Sequence, residues 1–176
     1  EAATGKVLKR LTDVNADVEM VGQDDKFVYY TSAEVSPVDN HLFRVEVKSG
    51  KKTRLTQAEG WHKVTMSGDM KYFVDNYSSL KVPRVILLVQ NDGKKVKELL
   101  KAEDPTKDYN FGEITLGTVK SADGKFNNYY RLIKPMNFDA SRKYPVIVYV
   151  YGGPHSQMVK NTWQAEMRRW EMYMAQ

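Results

Sequence analysis

The strongest constraint on this chain is a repeat of about 44 residues running through its first hundred positions. Arg10-Leu11-Thr12 returns as Arg54-Leu55-Thr56, 44 positions later, and a further 44 leads to Glu98-Leu99-Leu100 at the end of another alternating run. Asp25-Lys26-Phe27-Val28-Tyr29 is matched by Met70-Lys71-Tyr72-Phe73-Val74 at an offset of 45, and Leu42-Phe43-Arg44-Val45 by Val85-Ile86-Leu87-Leu88 at 43. Three elements in one order at nearly one spacing argue for a repeated supersecondary unit. The alternation predicts four short strands in each unit. In the first they lie near Ala16–Val21, Lys26–Thr31, His41–Val47 and Lys52–Thr56. In the second they lie near His62–Ser67, Lys71–Asn76, Val85–Gln90 and Val96–Leu100. Turn signals separate them at Gln23-Asp24-Asp25, Ser49-Gly50, Ser67-Gly68-Asp69 and Asn91-Asp92-Gly93.

Four antiparallel strands per ~40–45 residues are the signature of a β-propeller blade. Two blades do not close a ring of ~4–8, so most of the ring is expected upstream. Open strand edges would otherwise invite pairing with other chains. An ordinary antiparallel sheet carrying a chance repeat is the alternative. The opening, Glu-Ala-Ala-Thr-Gly, carries no signal peptide and reads as the middle of a longer protein.

Composition narrows the function classes. The net charge is +5, but the basic residues are scattered, with no dense Lys/Arg run and interleaved aromatics, which argues against nucleic acid as a partner. The chain has no cysteine, which excludes disulfides and thiolate metal sites. No run reaches the ~18 apolar residues of a membrane span. Asp24-Asp25 and Asp92-Gly93 read as turn residues, since calcium would need more carboxylates. His41 and His62 show no ligand spacing. No metal or cofactor is expected.

The period breaks after Leu100. Ala102–Asp108 is polar, carries Pro105 and reads as a linker. Glu113–Ser121 and Asn127–Ile133 alternate about an Ala122-Asp123-Gly124-Lys125 turn, predicting a hairpin. Val146–Val150 has no polar alternation and reads as a strand buried on both faces, as in an α/β sheet. A helix is expected from about Asn161, with Trp163, Met167, Trp170 and Met174 on one packed face. The order hairpin, buried strand, glycine-rich loop, helix is how an α/β-hydrolase domain begins. The expected fold is therefore mainly β with an α/β part: residues 1–108 as the last two blades or so of a propeller, and residues 109–176 as the truncated start of a hydrolase domain.

The loop after the buried strand, Tyr151-Gly152-Gly153-Pro154, carries the chemistry. In α/β-hydrolases the loop after the third strand helps form the oxyanion hole. A donor there must face the oxygen that gains negative charge in the tetrahedral intermediate. Lipases and esterases use a backbone N–H from a His-Gly-Gly type loop; here Tyr151 offers a phenol O–H instead. A strand-end aromatic that only packs is the alternative.

Tyr144-Pro145 followed by Val150-Tyr151-Gly152-Gly153-Pro154-His155-Ser156-Gln157 resembles the prolyl oligopeptidase family of serine peptidases, and most of all its dipeptidyl peptidase IV branch, bacterial members included. The resemblance implies a propeller followed by an α/β-hydrolase domain, the order read above. It implies that Tyr151 donates to the oxyanion, and that Ser156 and Gln157 lie near the mouth of the active site without being catalytic. His155 occupies a position where relatives vary and reads as a loop histidine. Peptides are the implied substrates of the whole protein, which would release N-terminal dipeptides with Pro or Ala second. A periplasmic, secreted or envelope location and a possible homodimer are implied in the same way. An acylaminoacyl-peptidase-like, oligopeptidase-like or esterase relative, or a propeller binding module without catalysis, are the competing readings.

The family's Ser-Asp-His triad sets its serine in a Gly-x-Ser-x-Gly elbow, and no such pentapeptide occurs in these 176 residues. The elbow is expected downstream, and the acidic pair that grips the substrate's amine upstream. The chain alone is expected to be inactive and to self-associate through open strand edges or the Met/Trp helix.

Overall fold

The structure, a computed structural model, describes residues 3–154 and 156–176. His155 lies outside the described residues. The first repeat unit folds as β1 (Val18–Gln23), β2 (Phe27–Ser32), β3 (His41–Glu46) and β4 (Lys52–Arg54). The second folds as β5 (Trp61–Met66), β6 (Tyr72–Ser79), β7 (Val82–Gln90) and β8 (Lys95–Lys101). Each unit is a four-stranded antiparallel sheet in sequential order. All eight repeat strands expected from the alternation are present, with ends shifted by a few residues. A separate hairpin joins β9 (Ile114–Lys120) to β10 (Asn127–Ile133).

The turns explain why the strands stop where they do. Ser67-Gly68-Asp69-Met70-Lys71 and Ser121-Ala122-Asp123-Gly124-Lys125 use one device twice. In each, the aspartate Oδ1 accepts from the serine hydroxyl and from the lysine N–H, while the serine Oγ accepts from the N–H of the next residue, Tyr72 or Phe126. A short polar side chain thus replaces a ladder partner and closes the hairpin. Asp24 does the same for the N–H groups of Lys26 and Phe27 at 2.8 and 2.7 Å.

The two sheets pack on each other. Tyr29, Leu42 and Leu55 from the first unit meet Phe73 and Val89 from the second in one buried cluster. On β2 the next residue, Tyr30, points to the opposite face and stacks on Phe43, with ring centroids 5.5 Å apart. Alternation along one strand therefore feeds two clusters. Asn40 ties the sheets at the backbone: its N–H donates to Gly60 O, its carbonyl accepts from His62 N–H, and its amide donates to His62 O. Gly60 permits this entry into β5. Its φ is +129°, and a Cβ there would lie 2.2 Å from Ser78 O. At the outer edge, β8 is exposed throughout and carries Lys95, Lys97 and Lys101, a common protection of an open strand edge.

The second half departs from expectation in two places. Residues 146–150 form no strand: Val146, Val148 and Val150 are 73–77% exposed. A strand buried on both faces needs neighbours to bond its N–H and C=O groups, and none lies beside it among the described residues. The expected single helix is also broken. Trp163–Glu166 is one 3-10 turn in which Gln164, Ala165 and Glu166 have φ of 49°, 51° and 56°. Among the described residues only Arg169–Met174 (α1) is α-helical. The Met/Trp stripe is therefore not one packed face, and Trp170 and Met174 are exposed. Among the described residues no helix is long and apolar enough to cross a membrane.

Candidate active-site loop and its supports

The Tyr151 loop turns at Gly152, whose φ of +62° favours glycine. The Tyr151 ring folds back over Gly153: a Cβ on Gly153 would lie 2.9 Å from Cε1 and 3.3 Å from the phenol oxygen. Gly153 is thus the bare patch of backbone that lets the ring sit there. Tyr151 is half exposed, so a polar donor on an apolar ring borders solvent. Ser156 is exposed, with its Oγ 3.6 Å from Met158 Sδ. Gln157 turns back to the first sheet, and its Nε2 donates to Pro37 O and, at 3.0 Å, to Val159 O.

Behind the loop lies a charged group that the sequence did not reveal. Glu171 of α1 accepts from Arg131 of β10 at 2.5 Å and from Arg168 at 2.8 Å. Burial alone would push the Glu171 carboxyl up; the Arg168 backbone N–H, the Arg168 guanidinium and Arg131 outweigh it and hold the carboxyl below its ordinary range. Arg131 also donates to Ala165 O at 2.6 Å, which captures the left-handed turn. Arg168 in turn lies over the Tyr149 ring at 4.4 Å, two residues before Tyr151.

A cleft of about 970 Å³ opens between the first strands of the two sheets. Asp17 and Glu19 line one side, Trp61 and Lys63 another, and Tyr129 and Gln157 contribute to the wall. Beside it, His41 and His62 come together with ring centroids 5.0 Å apart, although they are 21 positions apart in sequence. His62 Nδ1 lies 2.8 Å from Asp75 Oδ1 and its Nε2 2.9 Å from Ala58 O, while its ring stacks on Tyr77. His41 Nδ1 lies 3.1 Å from Thr56 Oγ1. Burial first, then His62 and Arg54, lower the His41 pKa to about 4. Among the described residues no group of three or more His, Asp or Glu could hold a metal ion. The histidines build the joint between the sheets.

Residues 2–84 match the family described as the dipeptidyl peptidase IV (DPP IV) N-terminal region. Human dipeptidyl peptidase 8 is 32% identical over 147 residues, which is 77% of this chain and 16% of that protein. Dipeptidyl peptidase 4 of Arthroderma otae is 28% identical over 151 residues, 82% of this chain and 19% of that one. A putative dipeptidyl aminopeptidase IV from Bacteroides ovatus superposes with a TM-score of 0.84 at 42% identity, over 95% of this chain and 24% of its own. The chain belongs to the dipeptidyl peptidase IV family. Dipeptidyl peptidase 4 of Porphyromonas gingivalis gives the same result, with a TM-score of 0.87 at 30% identity over 97% of this chain and 24% of its own. The chain thus spans less than a fifth of the length of the curated family members named here, and about a quarter of the solved ones.

Proposed function

We propose that this chain is the junction between propeller and hydrolase domain in a serine exopeptidase, and that the whole protein releases Xaa-Pro or Xaa-Ala dipeptides from peptide N-termini. The two four-stranded sheets are the last blades of the propeller. Residues 109–176 open the hydrolase domain, in which residues 146–150 become a strand once neighbouring strands lie beside them. The observation that carries the reading is the Tyr151-Gly152-Gly153 loop of a dipeptidyl peptidase IV family chain, with a half-exposed phenol folded over a side-chain-free backbone. Tyr151 donates its O–H to the oxyanion of the tetrahedral intermediate. Ser156 and Gln157 lie on the substrate side of the same loop. The chain alone is inactive, because a donor without a nucleophile has no covalent intermediate to stabilise. The whole protein acts outside the cytoplasm, in the periplasm or beyond, and no cofactor takes part.

The test uses the full-length protein and a chromogenic Gly-Pro amide. Tyr151→Phe keeps the ring and removes the donor. A fall in kcat of about 10²–10³, the scale of losing one oxyanion donor, is expected with the fold intact. Active wild type with an unimpaired variant would reduce Tyr151 to packing. Inactive wild type would remove the dipeptidyl peptidase assignment.

A further inference from the structure

Asn161 reaches both four-stranded sheets at once. Its backbone N–H donates to Val38 O at 2.7 Å, and its Nδ2 donates to Asp39 Oδ1 at 2.8 Å, both in the connection between β2 and β3. Its Oδ1 accepts from Leu80 N–H at 2.8 Å, at the β6–β7 turn. Chemistry fixes the orientation of this amide: a backbone N–H can only donate, and a carboxylate can only accept. Asp39 is 9% exposed, so its bond to Asn161 is shielded from water. The neighbours on either side dock too, Gln157 to Pro37 O and Trp163 N–H to Ser78 Oγ at 3.2 Å.

The glycine loop is therefore pinned on both flanks. Downstream, Gln157 and Asn161 fasten it to the two sheets. Upstream, Arg168 covers Tyr149 and is itself held by Glu171 together with Arg131. Tyr151 and its glycines lie between these supports, in a stretch whose positive φ at Gly152 leaves the backbone the freedom of glycine. We infer that Asn161 is a positioning residue for Tyr151, transmitting the relative placement of the two sheets to the phenol. This rests on the reading of Tyr151 as the oxyanion donor. The effect acts on geometry, and a displacement of ~1 Å at such a donor is enough to cost about 10²-fold in rate.

The test again uses the full-length protein, with 3-fluorotyrosine placed at position 151 and read by ¹⁹F NMR beside kcat and KM. Asn161→Asp removes the donor to Asp39 and sets two carboxylates face to face. It is expected to shift or broaden the fluorine line and to lower kcat about 10²-fold with KM little changed. Adding Asp39→Asn exchanges donor and acceptor across the same contact, leaves an acceptor for Leu80 N–H, and is expected to restore both readouts. Asp39→Ala, which introduces no repulsion, gives the milder form of the same result should Asn161→Asp fail to fold. An unchanged fluorine line in Asn161→Asp, or a swapped pair that folds but leaves the line displaced, overturns the inference whatever the rates. A line that moves and is rescued, in a protein whose Tyr151→Phe variant keeps full activity, upholds the positioning and removes the catalytic reading of Tyr151 instead.

Discussion

His41 makes the joint between the sheets sensitive to acid. Its side chain is buried at 2% exposure, and burial, His62 and Arg54 lower its pKa from 6.5 to about 4, against the Thr56 backbone carbonyl, which favours the protonated ring. The folded pKa lies below the unfolded one, so between those values the unfolded chain binds more protons and acid favours unfolding. The contribution is fully present above pH ~6.5 and is lost as the pH falls toward 4. The two pKa values give a loss of about 2 kcal/mol by pH 5 and about 3 kcal/mol by pH 4. Asp24 and Glu171, held below the usual carboxylate range, also lose stabilisation in acid, but they are common to wild type and His41→Gln and cancel in the difference between them. Urea unfolding followed by tryptophan fluorescence, compared between wild type and His41→Gln at pH 7.5, 6 and 5, isolates the term. The stability difference between them should change by about 2 kcal/mol across this range, in the direction that costs wild type more at low pH. A difference that stays constant, or an NMR titration placing the His41 midpoint near 6, would refute the reasoning.

Two further outcomes follow from packing and charge. Phe73→Ala should cost about 3–5 kcal/mol in chemical denaturation, because Phe73 is 1% exposed at the centre of the cluster that both sheets share. Glu171→Gln should cost about 3 kcal/mol and lower Tm, since it strips the anionic partner from the nearly buried Arg131; an unchanged melting curve would show that the pair adds nothing to the fold.

The first hundred residues were legible because their determinants are local. Strand alternation and turns such as Ser67–Lys71 lie within a few residues of the elements they shape, and the strand pattern repeats. Val146–Val150 reads as a strand in the sequence because an apolar run records what a segment can bury, whereas a strand also needs a neighbour. The helix expected through Trp163–Met174 failed for a related reason. Its spacing suits one face, but Arg131 binds Ala165 O and Gln164 Nε2 donates to Thr106 Oγ1, and these distant partners hold a left-handed turn. Tyr151 stood out through its glycines. Asn161 did not, because its partners lie 81 and 122 positions away.

That distance has a consequence for the order of assembly. Within each sheet, consecutive strands pair through short turns, so little chain entropy is spent before the first contacts form. The bonds from Asn161 to Asp39 and Leu80 close loops many times longer, and they have nothing to bind until the β2–β3 connection and the β6–β7 turn already stand side by side. The Tyr151 loop is thus a late-seated part. A chain emerging from the ribosome would hold two finished sheets while this tyrosine was still unplaced, so the joint between the sheets is the template on which Tyr151 settles last.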